Sequence, residues 1–151
     1  MLAALPLAAC GFAPAYAPGS AATGLRGAVE MAEPRNPEAY DLVVRLEERL
    51  GRPAAPAYDL SYQIDLREID LAISQANAIT RYNVEGEVSY SLRRRADEAV
   101  VSEGELRSFT SYAASGTTVA TDAARIDARR RLMRLLADQM VTRILADAAR
   151  P

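Results

Sequence analysis

The chain has 151 residues and is half apolar, which is enough to bury one core and so predicts a single domain. Its formal charge of -2, with 18 basic residues that are all arginine, argues against a nucleic-acid partner, because such partners select a strong basic excess. The lack of histidine and the single cysteine exclude Ser-His-Asp and Cys-His catalytic systems and the usual His/Cys zinc sites. No P-loop or GxGxxG motif occurs, so no cofactor, no metal and no enzyme activity are predicted.

The first residues have the pattern of a bacterial lipoprotein signal. Met1 to Ala9 is a short apolar run that ends in small residues, and Cys10 follows directly. In a lipobox, a peptidase cuts before a cysteine whose sulfur carries a diacylglyceryl group. Residues 1–9 are therefore predicted to be a lipoprotein signal peptide and Cys10 the lipidation site. Because no arginine precedes the apolar run, a start upstream of Met1 stays open, as does a short apolar N-terminus with a chance cysteine.

Residues 10–24 are predicted to form a lipidated, flexible tether. Pro14 and Pro18 disfavour regular structure, and the Gly, Ser and Ala around them supply little to bury. Acyl chains hold a protein on a membrane surface without spanning the membrane. Gly11 follows the cysteine where the common inner-membrane retention signal has aspartate. The expected location is the periplasmic leaflet of the outer membrane.

The folded domain is predicted to cover residues 25–151 and to open with a strand over 25–31 and a helix. Asn36 is a favourable N-cap, Pro37 suits the first helical position, and Gly51 is a stop signal. Between them, five apolar residues recur at helical spacing and predict one core-facing stripe. These residues are Ala39, Leu42, Val43, Leu46 and Leu50.

Three alternating runs then predict three strands, each with one polar face. The first covers residues 58–66. Because the apolar residues then move to odd positions, a β-bulge is expected near residues 67–68. The second and third runs, 82–92 and 100–112, form a hairpin whose tip is the charged segment 93–98.

A long helix is expected at the end of the chain, from about Thr121 to Ala149, with its arginines largely on the outer side. Its predicted core residues are Ala123, Ile126, Met133, Leu136, Ala137, Met140, Val141, Ile144, Leu145 and Ala148. The element order β-α-β-β-β-α predicts an α+β fold, with two helices packed on one face of a four-stranded mixed sheet. The first strand pairs parallel through the helical crossover, and the later three form an antiparallel meander.

Four segments resemble the lipopolysaccharide (LPS)-assembly lipoprotein family LptE, particularly its alphaproteobacterial branch. They are CGFAPAY at 10–16, ITRYNVEGEVSYSL at 79–92, SY at 111–112 and VATDAARIDARRRLMRLLADQMVTRILA at 119–146. The resemblance implies a non-catalytic lipoprotein on the inner leaflet of the outer membrane. Its domain would plug the lumen of LptD, the large β-barrel that translocates LPS, and assist the assembly of that barrel. The resemblance also implies binding of LPS and no cofactor.

Arginines at the hairpin tip are the first candidate contacts for LPS or the barrel. Arg93, Arg94 and Arg95 suit the phosphates or acidic sugars of lipid A, because guanidinium groups bind such oxyanions bidentately. Alternatively, the charges only keep the tip soluble, with Asp97 and Glu98 pairing the arginines.

Arginine also occurs at position 81 and at positions 129–131. Arg81 matches the threonine-arginine pair of the family strand, so it is a candidate contact for the ligand or the barrel, or else it steadies the sheet. Arg129 to Arg131 are interpreted as a solvated helix face.

From the residues alone, two other functions stay open beside a translocon subunit. A periplasmic lipoprotein could carry LPS or another amphiphile without a barrel, but it would need an apolar cavity between sheet and helices, and the chain has enough large side chains to fill that space. A carboxylate-dependent hydrolase would need two acids in one cleft, whereas the acids here fall on exposed faces or turns. The prediction is therefore the non-catalytic translocon subunit.

Overall fold

Six regular elements occur in the part of the chain that the structure describes. This computed structural model describes residues 24–73, 79–114 and 116–150. The elements are β1 (Val29–Met31), α1 (Pro37–Leu50), β2 (Tyr58–Ile73), β3 (Ile79–Arg94), β4 (Val100–Ala113) and α2 (Thr118–Ala148). Their order confirms the predicted α+β fold. The predicted signal peptide, Cys10 and all but the last residue of the predicted tether lie outside the described residues.

The strands form one mixed sheet in the order β1-β2-β3-β4. β1 is parallel to β2, with Val29 opposite Tyr58, and α1 forms the crossover between them. β2, β3 and β4 form the predicted antiparallel meander. β1 is shorter than predicted, because the Ala28 N–H donates a hydrogen bond to the Leu25 carbonyl in a turn and only three residues then pair with β2.

The β-bulge predicted near residues 67–68 is wrong. β2 pairs with β3 residue by residue over 58–70, and the register shifts come after this range. Glu68 faces the helices, and its carboxylate accepts a hydrogen bond from the Tyr112 hydroxyl at 3.4 Å. Since successive side chains of a strand point to opposite faces, Ile69 points away from the helices and is exposed. The apolar residues change face here, and the strand keeps its register.

Helix α1 begins and ends where the sequence predicts. The Asn36 Oδ1 accepts a hydrogen bond from the Ala39 N–H at 2.7 Å, and Pro37 occupies the first turn, where its missing N–H costs nothing. At the other end the Gly51 N–H donates to the Glu47 carbonyl, and Gly51 has a φ of 81°, which glycine adopts without a Cβ clash. The buried residues of α1 are the five that were predicted.

Helix α2 is longer at its N-terminus than predicted, because the Thr117 hydroxyl caps it and helical structure begins at Thr118. Two residues that were predicted to be in the core, Ala123 and Ile126, are exposed. The buried residues of α2 are Ala128, Leu132, Met133, Leu136, Ala137, Met140, Val141 and Ile144.

The arrangement of the two helices explains these exposed residues. Glu38 of α1 pairs with Arg129 of α2, and Arg45 pairs with Asp138, so the helices run parallel. The first nine or so residues of α2 therefore precede the first turn of α1. The apolar side chain of Ile126 lies in this segment, which α1 does not cover.

Close approach of α2 to the sheet depends on Gly86 of β3. A Cβ atom at Gly86 would lie 2.9 Å from Leu132 Cδ2 and 3.1 Å from both Leu136 Cδ1 and Leu66 Cδ2. These distances are shorter than van der Waals contact, so the missing side chain makes room for leucines of α2. The core between sheet and helices is filled by side chains that are fully buried.

Candidate functional site

The sheet face opposite the helices, here called the open face, is exposed and polar, as the alternation predicted. Neighbouring strands align its side chains in rows, among them Gln63, Ser89 and Glu105, and then Asp65, Glu87 and Arg107. The Arg107 guanidinium donates a hydrogen bond to Glu87 at 2.7 Å and holds the pKa of that carboxyl below its usual range.

A shallow depression in the open face is lined by both charged and apolar side chains. Its lining includes Asp65, Arg67, Glu85, Glu87, Arg107 and Phe109. The acids there exceed the arginines, and Arg107 is already paired with Glu87 and Glu105. The depression therefore does not form a cationic site for a phosphate group.

The predicted hairpin turn is confirmed, and two of its three arginines form ion pairs. Arg94 pairs with Asp97 at 3.0 Å, as the solubility interpretation predicted. Arg95 donates through Nε to Asp59 of β2 at 2.9 Å, and this guanidinium lowers the pKa of the Asp59 carboxyl. Arg93 is exposed and makes no ion pair with any residue that the structure describes. Of the three predicted contacts, Arg93 alone offers an unpaired guanidinium.

The hairpin tip lies beside the start of the described chain. The Arg95 N–H donates to the Ala57 carbonyl at 2.9 Å, and the Ala57 N–H donates to the Ala28 carbonyl at 2.8 Å. We call this region, made of residues 24–28, 52–59 and 93–99, the tip end. The first described residues therefore lie next to the tip arginines, which alternation alone could not reveal.

Arg81 lies at the opposite end of β3, exposed on the open face and aligned with Ala113 of β4. Twelve residues of extended strand separate it from Arg93, which corresponds to about 40 Å. The structure therefore does not bring Arg81 together with Arg93, Arg94 and Arg95, and the four predicted contact residues form two separate groups.

The interpretation of Arg129 to Arg131 as a solvated helix face is wrong for Arg129. Its Nη1 donates to Glu38 Oε1 of α1 at 3.1 Å, and its Nη2 lies 3.6 Å from Glu68 Oε1 of β2. Arg130 extends this connection, since its Nε lies 3.5 Å from the Asp41 carboxylate. These arginines join α2 to α1 and the sheet, because the parallel helix arrangement brings residues about ninety positions apart into contact.

Sequence reasoning missed a polar network near the C-terminus of α2. The buried Ser102 hydroxyl of β4 donates to Asp147 Oδ2 at 2.8 Å and lies 3.2 Å from the Tyr90 hydroxyl. Arg143 also donates to this carboxylate at 3.1 Å. The Ser102 hydrogen bond, followed by the contact with Arg143, lowers the pKa of Asp147. No local pattern signals a contact between residues so far apart in the chain.

The end of the domain opposite the tip end carries exposed apolar side chains. On the open face Phe109 is 67% exposed, and Ile69 is exposed two strands away. On the helix side, Val119 and Ile126 of α2 are 79% and 56% exposed. We call the region that contains Ile69, Asn83, Phe109, Val119 and Ile126 the distal end. The sequence already indicated that Phe109 is unusual, because it is an aromatic residue on the polar side of an alternating strand.

Asn83 of β3 lies between Ile69 of β2 and Ser111 of β4 in the cross-strand arrangement of the open face. It is only 9% exposed, and its Nδ2 donates to Glu85 Oε1 at 3.3 Å. Its Oδ1 is buried and accepts no hydrogen bond from any described residue. Asn83 thus carries a covered acceptor that has no partner among the described residues.

Over the described ranges, none of the helices combines the length and the apolar character that a membrane-spanning segment requires. In the same ranges, no cluster of three or more Cys, Asp or Glu side chains has a geometry suited to a metal ion.

Comparison with known proteins identifies one family and several similar structures. The family model for LptE, described as lipopolysaccharide-assembly, matches residues 28–144. No curated relative matches the chain significantly. A solved lipoprotein from Caulobacter crescentus has a TM-score of 0.73 at 20% identity, covering 87% of this chain and 97% of its own.

Two further solved structures share the fold. Rare lipoprotein B from Shewanella oneidensis has a TM-score of 0.60 at 12% identity, covering 79% of this chain and 92% of its own. A minor lipoprotein from Acinetobacter baumannii has a TM-score of 0.56 at 17% identity, covering 80% of this chain and 91% of its own. At these identities the likeness concerns the fold.

Proposed function

The chain belongs to the LptE family of LPS-assembly lipoproteins, and on this premise we propose that it plugs and helps assemble the LPS translocon barrel of the outer membrane. In this role it is non-catalytic and helps to insert LPS into the outer membrane. The observation that carries the proposal is the match of the family model to residues 28–144, which includes five complete elements and most of α2.

The polar open face supports a plug. The lumen of an outer-membrane barrel is polar and contains water, so a domain inside it gains from a polar surface. Apart from exposed apolar residues such as Ile69 and Phe109, this side of the sheet carries mainly Ser, Gln and charged side chains. A compact two-layer domain with such a surface can occupy a polar lumen without burying unpaired charges in lipid.

The packed interior favours a plug over an amphiphile carrier. A carrier needs an apolar cavity, but Leu132, Leu136 and Met140 of α2 are fully buried against the sheet and α1. The leucine side chains next to Gly86 leave less than a methyl group of space there. An acyl chain could enter only by separating the two layers, which costs the burial energy of these residues.

We propose that Cys10 carries the lipid anchor and that residues 10–24 form the tether to the periplasmic leaflet of the outer membrane. A lipid on Cys10 would hold the domain beside a barrel in the same membrane. The tip end is where this tether would enter the domain, because it contains the first described residues.

We also propose contacts to LPS or the barrel for the predicted arginines. Arg93 is the best-placed of the tip arginines to bind a lipid A phosphate or acidic sugar, because Arg94 and Arg95 are held by Asp97 and Asp59. Arg81 belongs to the other end of the sheet, so any contact it makes is with a different part of the partner.

An affinity pull-down from detergent-solubilised outer membranes tests the proposed function. A C-terminal tag on the full chain leaves the proposed anchor free. We expect the LPS translocon barrel to co-purify in about one-to-one proportion, since one plug fills one lumen. Recovery of the chain with LPS but without a barrel would support the carrier instead and would contradict the proposal.

A further inference from the structure

The depression in the open face has a size that suits a small ligand. Its volume of about 630 Å³ lies within the range of small-molecule sites in proteins. Two cross-strand rows line it, Arg67, Glu85 and Phe109 in the first and Asp65, Glu87 and Arg107 in the second. Because strands lie about 5 Å apart and side chains on one face recur about every 7 Å along a strand, the rows cover roughly 10 by 7 Å. This area accommodates one or two sugar rings.

Polar groups in the depression have no partner in the described part of the chain. Asp65 and Arg67 lie on the same face of β2, yet neither makes a hydrogen bond or an ion pair with a described residue. Among the described residues, Glu85 accepts a side-chain hydrogen bond from Asn83 alone, through Oε1. The depression therefore offers a carboxylate, a guanidinium group and a second carboxylate oxygen side by side.

Phe109 adds an aromatic ring to these polar groups. The ring is mostly exposed, and it lies beside Glu85 in the cross-strand arrangement. The face of an aromatic ring carries negative partial charge, so it attracts C–H groups such as those on the flat side of a sugar ring. Phe109 can therefore stack on a ligand whose hydroxyl groups point toward the charged side chains.

The charges of the depression select among classes of ligand. Three carboxylates lie with two arginines, so the net charge is negative and disfavours a phosphate group. Within the described ranges, these carboxylates form no cluster suited to a metal ion. An acyl chain would cover the charges without pairing them, which is costly. A ligand rich in hydroxyl groups satisfies both signs of charge, because each hydroxyl donates and accepts hydrogen bonds.

We propose that this depression binds a saccharide without phosphate groups, namely sugar residues of LPS. This inference rests on the proposed function, because it names the chemical part of LPS that the open face recognises. Asp65 accepts hydrogen bonds from sugar hydroxyls, Arg67 donates to them, and the Phe109 ring stacks on the sugar. Lipid A, with its phosphates and acyl chains, is not the ligand of this depression.

A segment of the barrel wall is the competing occupant. A protein surface that closed over the depression would bury the Asp65 and Arg67 charges, and each would then need an opposite charge in a fixed position. A saccharide leaves the edges of the depression in water, so both charges stay partly solvated while they bind hydroxyl groups. The charges without partners therefore favour the saccharide.

Saturation-transfer difference NMR with the purified full-length lipoprotein in detergent tests the proposal. The probe is the core oligosaccharide that mild acid releases from LPS, treated with hydrofluoric acid to remove its phosphates. Since the probe contains neither lipid A nor phosphate, any transfer reports contact with sugar. We expect transfer to the sugar ring protons from the wild-type protein, and we expect inorganic phosphate not to compete.

Two substitutions in the depression have matched controls outside it. Phe109→Ala removes the stacking ring and Asp65→Asn removes a charged acceptor, so each is expected to weaken oligosaccharide binding about tenfold. The controls are Val100→Ala, at an exposed apolar position of the same strand, and Glu103→Gln, at an exposed carboxylate of the open face. Both should bind the oligosaccharide as the wild type does. Circular dichroism verifies that all four variants keep their fold.

The outcomes separate this inference from the proposed function. If the barrel co-purifies with the chain but the dephosphorylated oligosaccharide does not bind, the saccharide site is wrong and the plug proposal stands. A crosslink to the barrel from p-benzoylphenylalanine at position 65 would then identify the barrel wall as the occupant. Equal weakening by the depression variants and their controls would also overturn the inference. If the oligosaccharide binds as expected but no barrel co-purifies, the saccharide site stands and the plug proposal fails.

Discussion

Among single residues, Asp147 illustrates how a carboxylate holds two elements together. Its Oδ2 accepts hydrogen bonds from Ser102 of β4 and from Arg143 of α2, and Arg150 lies 3.1 Å from Oδ1. The carboxylate is mostly covered, so the ionised form is stable only because these donors surround it. The end of α2 is thereby fixed to the edge strand of the sheet.

Ser102→Ala is expected to lower the free energy of unfolding by about 2 kcal/mol at pH 7, because a buried hydrogen bond to a charged group is lost. Chemical denaturation of the purified domain measures this change. Ser89→Ala is the matched control, because Ser89 is exposed on the open face, and it should change stability by less than about 0.5 kcal/mol. Equal effects of the two substitutions would refute a stabilising role for the network.

The same network predicts a pH dependence. Since the pKa of Asp147 is lower in the folded than in the unfolded protein, its contribution is complete above the unfolded pKa of about 3.9 and is lost as pH falls through the folded pKa. The stability difference between wild type and Ser102→Ala should therefore shrink from pH 7 to pH 3. A difference that stays constant over this range would show that Asp147 does not titrate with the network.

Arg93→Ser tests the tip as a contact for LPS. The substitution removes the unpaired guanidinium and is expected to weaken LPS binding by the purified domain about tenfold. Arg134→Ser, at an exposed position of α2, is the control with the same change of charge. If both variants bind LPS as the wild type does, Arg93 is not a contact for LPS.

Among the secondary-structure elements, the packing of α2 on the sheet depends on Gly86. Gly86→Ala would place a methyl group 2.9 Å from Leu132 Cδ2, and the displaced leucines are expected to cost about 1–2 kcal/mol of unfolding free energy. Thermal or chemical unfolding measures the loss.

Gly104→Ala on the neighbouring strand provides the control. A Cβ atom there would lie 3.6 Å from the Tyr90 ring, which is an ordinary contact, so this substitution should leave stability unchanged or slightly raise it. A Gly86→Ala protein as stable as the wild type would mean that α2 moves away from the sheet at little cost.

The elements themselves were largely predictable because their signals are local. Asn36, Pro37 and Gly51 mark both ends of α1, and strict alternation defines β3 and β4. The prediction of a β-bulge near residues 67–68 was wrong. In the sequence, a shift of the apolar residues to the other face of a strand looks the same as a change of register.

The contacts between elements were not predictable from one sequence. Arg129 was expected on a solvated face, yet it reaches Glu38, which lies 91 positions earlier in the chain. That contact depends on the relative direction and offset of two helices, which periodicity does not encode. The same offset leaves Ile126 exposed, so the distal end could be recognised only in the folded chain.

For the whole molecule, the proposed anchor decides where the domain works. Cys10→Ala removes the sulfur that would form the thioether, so the unprocessed or soluble protein should be lost from the outer-membrane fraction. Membrane fractionation and intact-mass measurement of the N-terminus follow the change. A Cys10→Ala protein that still reaches the outer membrane and supports LPS surface display would contradict the anchor.

Native mass spectrometry of the complex purified from outer membranes tests the account as a whole. The plug proposal predicts one copy of this chain bound to one translocon barrel, with the mass of the chain increased by the acyl groups on Cys10. A chain that is released without a barrel, or that carries an unmodified Cys10 thiol, would contradict it.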